Sequence, residues 1–171
     1  RTLCETAAPA FAFTADAASV YCATPGEVVR VGKQTGKVDR LPGGEAPLTA
    51  IVADSVRSAV YAGSRSGELY RVAGDRLARL DPKGARPRRI RGLAADSHGI
   101  VWVTSAETGI TRYNPSTDDY KHFGQEPYTV SYNLDTITKI AEGGGLLWIK
   151  MNNWGFGYYD RERDTVEPFY N

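Results

Sequence analysis

The chain is poor in the residues that metal and redox chemistry draws on, with two cysteines, two histidines and one methionine in 171 positions. His98 sits in Ser97-His98-Gly99 and His122 lies far from it, neither with ligand spacing around it, so no metal site is expected. An excess of one charge is missing too. The 21 basic and 20 acidic residues leave a net +1, which excludes a whole-protein field aimed at nucleic acid or an anionic membrane. No apolar run approaches the ~20 residues needed to span a bilayer, and Arg1-Thr2-Leu3 does not begin like a signal peptide. Membrane attachment is therefore expected only through segments outside this chain. There is no serine-centred nucleophile elbow and no isolated acidic pair of the glycosidase kind. Gly143-Gly144-Gly145 lacks the lysine and hydroxyl of a phosphate loop and reads as a turn. The expectation is a chain without a catalytic constellation or a cofactor.

A persuasive helical period is also lacking. A unit of about forty residues, written four times, takes its place. Each unit is anchored by an apolar residue followed by an aromatic: Val20-Tyr21, Val60-Tyr61, Val101-Trp102 and Leu147-Trp148, spaced 40, 41 and 46 residues apart. Upstream of each anchor is a small residue followed by an acid: Ala15-Asp16, Ala53-Asp54, Ala95-Asp96 and Ala141-Glu142. Downstream comes a glycine, at Gly26, Gly67, Gly109 and Gly155. The third and fourth units also match from Asn114 to Phe123 against Asp160 to Phe169, with turn formers at the start and an aromatic at the end.

Segments such as Ala50-Ile51-Val52-Ala53, Ala59-Val60-Tyr61-Ala62-Gly63 and Glu68-Leu69-Tyr70-Arg71-Val72 are short and rich in β-branched and aromatic residues. Asp, Ser and Gly separate them. Four such segments per unit predict an all-β chain of β-propeller blades, each of four antiparallel strands. The repeats fall at about 9–46, 47–84, 88–126 and 134–171 of a single domain. Four blades either close a small ring or form part of a larger propeller. Uncovered blade faces would be sticky, so either a homodimer or further blades of the same protein are expected as partners.

In a propeller one rim collects the loops between the second and third strands of each blade and the links between blades, and function tends to sit on such loops. The fourth unit departs most from the others there, placing Asn152, Asn153 and Trp154 where its neighbours have small residues. An indole beside amides suits a saccharide, the ring packing on C–H groups while amides pair with hydroxyls. Tyr128, Tyr132 and Asn133 of the longest link, with Arg65 and Glu107 of the shorter loops, complete a candidate oligosaccharide-binding set.

Between Arg76 and Arg91 lie seven of the 21 basic residues, against the single acid Asp81. Arg86, Arg88 and Arg89 form the loop within that run, fit to meet an acidic sugar, a phosphate or an acidic partner surface, or simply solvated. No interleaved aromatics favour nucleic acid. The acids Asp16, Asp54, Asp96 and Glu142 fall in the turn between the first two strands, where an acid caps its own turn. Cys4 and Cys22 could form a disulfide worth about 3 kcal/mol. Equally, Cys22, which aligns with Ala62, Val103 and Ile149, could be a small buried apolar residue.

Ile90-Arg-Gly-Leu-Ala-Ala-Asp-Ser-His-Gly-Ile-Val-Trp-Val103 with Gly109-Ile-Thr-Arg-Tyr-Asn-Pro115 resembles the two-component regulator propeller repeat. So does Ile137-Thr-Lys-Ile-Ala-Glu-Gly-Gly-Gly-Leu-Leu-Trp-Ile149 followed by Gly155-Phe-Gly-Tyr-Tyr-Asp160. The first two units share the pattern in outline and also look like quinoprotein-type or WD-like blades. The resemblance implies a seven-bladed sensor propeller, often two in tandem, on the periplasmic side of the inner membrane. Such propellers bind oligosaccharides and signal to a histidine kinase of a hybrid two-component system. The four units here carry the blades of that arrangement and none of its transmembrane, kinase, receiver or DNA-binding parts. The other readings of a propeller are a non-catalytic protein-interaction scaffold and, with less support, a lyase or lactonase.

Overall fold

The computed structural model describes residues 5–6, 8–105, 109–123, 137–151 and 155–169. Sixteen strands follow one another in groups of four, with no helix among the described residues. The first group is β1 (Ala12–Ala15), β2 (Ser19–Ala23), β3 (Glu27–Gly32) and β4 (Val38–Pro42). The second is β5 (Leu48–Asp54), β6 (Ala59–Ser64), β7 (Leu69–Ala73) and β8 (Arg76–Arg79). The third is β9 (Ile90–Ala95), β10 (Val101–Ser105), β11 (Ile110–Asn114) and β12 (Asp119–Phe123). The fourth is β13 (Ile137–Gly143), β14 (Leu146–Met151), β15 (Gly155–Asp160) and β16 (Thr165–Phe169). Each group is its own antiparallel meander, strand pairing to the next strand in the chain. These are four propeller blades, as the repeat predicted.

Strand register shows why the repeat is spaced as it is. Tyr21, Tyr61 and Trp102 pair with Arg30, Arg71 and Arg112, and Trp148 pairs with Tyr158 at the same place in its sheet. Because side chains alternate across a strand, this aromatic and its apolar neighbour point to opposite faces. Each blade therefore turns one apolar face to the blade before it and one to the blade after it. Tyr21, Ala23, Val28 and Leu41 of the first blade pack on Ile51, Val60, Ala62 and Tyr70 of the second. Tyr61 and Leu69 meet Val101 and Tyr113 of the third, the two tyrosine rings 5.9 Å apart edge to face. Trp102, Ile110 and Phe123 meet Leu147, Ile149 and Tyr159 of the fourth. The first strands β1, β5, β9 and β13 adjoin in sequence and form the inner edge of the arc.

The acid before each anchor closes the turn and holds the aromatic. Asp16 accepts the backbone N–H groups of Ala18 and Ser19 at 2.8 and 2.7 Å, and the Tyr21 hydroxyl donates to it at 2.8 Å. Asp96 repeats this with His98, Ile100 and the Trp102 indole at 2.9, 3.0 and 2.9 Å. Asp54 caps Val56 at 2.9 Å. Glu142 corrects the expectation for the fourth unit, because its carboxylate leaves its own turn and accepts the backbone N–H and hydroxyl of Ser97 in the third blade, each at 2.8 Å. Its turn needs no acid: Gly144 and Gly145 have φ of 62° and 78°, the paired left-handed residues of a two-residue hairpin turn.

Candidate functional site

Three of the four inner strands do not pair evenly with their neighbours. In the second blade Leu48 pairs with Ser64 and Ala50 with Gly63, leaving Thr49 as an extra residue. In the third, Ile90 pairs with Ser105 and Gly92 with Thr104, leaving Arg91 extra in the same way. Such bulges bend a strand and redirect a side chain. Here two of them lie side by side at one end of adjacent inner strands, on the rim that also carries the β6–β7 loop and the link from β8 to β9.

Several contacts fix this corner. The Thr49 hydroxyl donates to the Ile90 carbonyl at 2.6 Å, joining the two bulged strands directly. The Arg65 backbone N–H donates to the Pro47 carbonyl at 2.8 Å, tying the β6–β7 loop to the entry of β5. Gly63 leaves space for Ile90, since a Cβ on it would stand 2.7 Å from Ile90 Cγ2. The Ser105 hydroxyl donates to the Arg88 carbonyl, and Arg89 takes a left-handed φ of 51°. A backbone bent this way ends the link abruptly and starts β9.

The result is an open hollow of ≈ 400 Å³ between the second and third blades, lined by Thr49, Arg65, Arg89, Ile90 and Arg91. Three arginines line it. In a protein of net charge +1 this is a local concentration of positive charge. Guanidinium groups bind carboxylate, sulfate and phosphate through paired N–H donors and keep their charge at any physiological pH. The hollow at the neighbouring seam, ≈ 460 Å³, has a different lining that includes Glu45, Glu68, Tyr70 and Arg79. There the Tyr70 hydroxyl donates to Glu68 at 2.7 Å and Arg79 pairs with the same carboxylate at 3.3 Å. Burial, together with the Glu68 carboxylate, pushes the Tyr70 phenol up to about 12. That seam holds a cation against an anion.

Of the residues singled out in the sequence, the structure brings Arg65 and Arg89 together and adds Thr49 and Arg91 to them. The basic run does not act as one patch. Arg79 pairs with Glu68 on the second blade, while the backbone of Lys83 bonds to Asp118 and Tyr120 of the third. Asn152, Asn153, Trp154, Tyr128, Tyr132, Asn133 and Glu107 lie outside the described residues, as does Cys4. Cys22 is half-buried on β2, at the position that Ala62, Val103 and Ile149 occupy in the other blades. His122 bonds to Thr111 at 2.6 Å and to the Ala85 carbonyl at 2.7 Å. Among the described residues no three of His, Cys, Asp and Glu are grouped to hold a metal ion.

No protein-family model matches the chain, and no curated protein matches it. Solved structures do. A catalytically inactive virginiamycin B lyase from Staphylococcus aureus, with quinupristin, superposes with a TM-score of 0.73 at 15% identity, over 98% of this chain and 57% of the lyase. The extracellular domain of a putative one-component system from B. thetaiotaomicron gives 0.70 at 13% identity, over 100% of this chain and 24% of that one. The computationally designed Ika4 protein gives 0.67 at 14% identity, over 97% and 93% respectively. These likenesses establish the propeller fold. The chain spans little more than half of the lyase and about a quarter of the extracellular domain.

Proposed function

We propose that this chain is a ligand-binding arc of an extracytoplasmic sensor propeller, and that its ligand is a glycan fragment carrying an acidic group. The observation that carries this reading is the hollow between the second and third blades, where two adjacent bulged strands and two rim loops bring Arg65, Arg89 and Arg91 together. A carboxylate or sulfate on a sugar offers the paired acceptors that a guanidinium fork takes. Location outside the cytoplasm is supported by the resemblance of the repeats to periplasmic sensor blades and by the likeness to an extracellular domain. In this reading occupancy is passed to a histidine kinase outside the chain, and Asn152, Asn153, Trp154, Tyr128, Tyr132, Asn133 and Glu107 are further proposed contacts of the sugar.

The test is calorimetric titration of the chain with a uronic-acid disaccharide, its sulfated form and a neutral disaccharide of the same size. The charged sugars bind and the neutral one does not. Arg91→Ala and Arg65→Ala each weaken the binding roughly tenfold or more, the value of one charge-assisted pair. Equal binding of the neutral sugar, or charged-sugar binding indifferent to both substitutions, defeats the proposal.

A further inference from the structure

The β6–β7 loop divides two hollows of different character. Arg65 lines the arginine hollow on one side of it, and Ser66, the next residue, lines the hollow of ≈ 460 Å³ on the other, together with Glu45, Glu68, Tyr70 and Arg79. The loop is braced from within. The Ser64 and Ser66 hydroxyls lie 2.9 Å apart, the Glu68 N–H donates to the Ser64 hydroxyl at 3.1 Å, and the Gly67 N–H donates to the Ser64 carbonyl at 3.1 Å. It is also held between the two links that join its blade to its neighbours. Arg65 bonds the link before it through the Pro47 carbonyl, and Gly67, at a φ of 89°, lies so close to the link after it that a Cβ would stand 1.8 Å from the Pro87 carbonyl oxygen. The wall between the hollows is therefore fixed from both sides.

The charges on the two sides of that wall differ. Among the described residues, three arginines and no acid line the first hollow. The second brings the carboxylates of Glu45 and Glu68 beside one guanidinium, that of Arg79. Glu68 is satisfied: one of its oxygens accepts the Tyr70 hydroxyl at 2.7 Å and the Ser66 hydroxyl at 3.1 Å, and Arg79 stands 3.3 Å from the other. Arg86 adds a further positive field at Glu68. Glu45 differs from it, being exposed on the link and without an ion pair among the described residues. Its carboxylate is the uncompensated charge of the second hollow. Such a group accepts hydrogen bonds from the hydroxyls of a neutral sugar and opposes a second anion.

We infer that the ligand alternates, with an acidic sugar unit in the arginine hollow joined to a neutral unit in the hollow of Glu45, and that Glu45 selects against a run of acidic units. The inference rests on the reading of the arginine hollow as the seat of an acidic group, and adds to it the character of the adjoining unit. A chain of uronic acids alone would satisfy the arginines but would bring a carboxylate against Glu45. A neutral unit brings hydroxyls instead, which donate to Glu45 and accept from the half-exposed Arg79 guanidinium. Selectivity of this kind comes from the repulsive contact as much as from the attractive one.

Calorimetric titration with two tetrasaccharides tests it, one alternating uronic acid with neutral hexose and the other made of uronic acid throughout. The alternating ligand binds about tenfold more tightly or better, though it carries fewer charges. Glu45→Gln, at an exposed position, strengthens binding of the all-acidic ligand and erases most of the difference. Glu162→Gln makes the same change of charge at an exposed position in the β15–β16 turn and leaves the difference as it was, which separates contact at Glu45 from overall charge. Equal affinity for the two ligands, preference for the all-acidic one, a preference that survives Glu45→Gln, or its loss with Glu162→Gln as well overturns the inference. Where binding in those cases still falls on Arg91→Ala, the acidic-group reading stands and only the alternation is lost. If neither ligand binds, or if Arg91→Ala and Arg65→Ala leave both affinities unchanged, the two readings fall together.

Discussion

The indole N–H of Trp102 donates to the carboxylate of Asp96 at 2.9 Å in the interior of the third blade, where both side chains are closed to solvent. The same carboxylate caps the backbone of its turn and receives the Arg161 guanidinium of the fourth blade at 3.1 Å. One acid thus shapes a turn, orients the largest core side chain and ties two blades together. Its short reach suits it to this: a side chain one carbon longer, as in Glu142, serves the neighbouring blade and leaves its own turn to glycine.

Asp96→Ala is therefore expected to cost about 3 kcal/mol, since it takes from the half-buried Arg161 one of its two carboxylate partners, Glu142 being the other, and leaves an indole N–H and two backbone N–H groups unmet. Trp102→Phe, which removes the donor but keeps most of the apolar bulk, should cost less. Urea unfolding of the two variants measures the difference. A loss below about 1 kcal/mol for Asp96→Ala would remove the acid from its central place in this account.

Acid should destabilise the fold through the same group. Burial works to raise the Asp96 pKa, but the Trp102 indole, the Ile100 and His98 amides and the Arg161 guanidinium outweigh it and hold the carboxyl below its ordinary value. Asp164 is lowered similarly, with burial opposed by Lys121, Tyr159 and Arg112. Groups whose folded pKa is depressed stabilise the fold at pH above their unfolded value, about 3.9, and lose that contribution as the pH falls through the folded value. The urea midpoint should be flat from pH 7 to about pH 5 and then drop, and Asp164→Asn should remove part of the drop. A midpoint that rises on acidification contradicts this assignment.

Gly63→Val should disturb both stability and the rim. Any Cβ there would press on Ile90, whose Cγ2 and Cδ1 lie 2.7 and 3.1 Å from it. Overpacking of this kind costs about 1–3 kcal/mol. Because Ile90 is held between Arg89 and Arg91, the displaced strand should also weaken binding of an acidic sugar beyond the loss in folded protein. Thermal melts combined with calorimetry on the folded variant separate the two effects. Unchanged sugar affinity would show that the hollow does not depend on this contact.

The fold was legible in the sequence because the pattern acts through local chemistry that repeats: an acid for the turn, an aromatic for the next seam, a glycine before the third strand. Asp118 and Asp164, aligned by the match of the third and fourth units, both have φ near 50°, at 52° and 54°, and both accept the hydroxyl of the tyrosine five residues earlier. The site was legible only in pieces. Arg65 and Arg89 could be assigned to rim loops, but Thr49 and Arg91 join them through bulges, and a bulge depends on which residue of the partner strand is skipped. No local signal in Leu48-Thr49-Ala50 or Ile90-Arg91-Gly92 marks that choice.

Those two aligned aspartates supply a last, comparative prediction. Asp118 accepts the Tyr113 hydroxyl at 3.0 Å within its own blade. Asp164 accepts the Tyr159 hydroxyl at 2.5 Å and also draws Arg112 at 2.6 Å and Lys121 at 2.7 Å from the third blade. Substitution by Asn keeps a residue tolerant of left-handed φ at both positions, so the backbone contribution cancels between the two variants. Asp118→Asn should then cost about 1 kcal/mol or less. Asp164→Asn should cost about 1–3 kcal/mol, a range that allows for a carboxylate side chain that is 33% exposed and partly screened by water. In a double-mutant cycle Asp164 should couple to Arg112, the less exposed of its two cations, more strongly than to Lys121. Equal losses at the two positions, or no coupling to Arg112, would show that the third and fourth blades are held by their apolar seam alone.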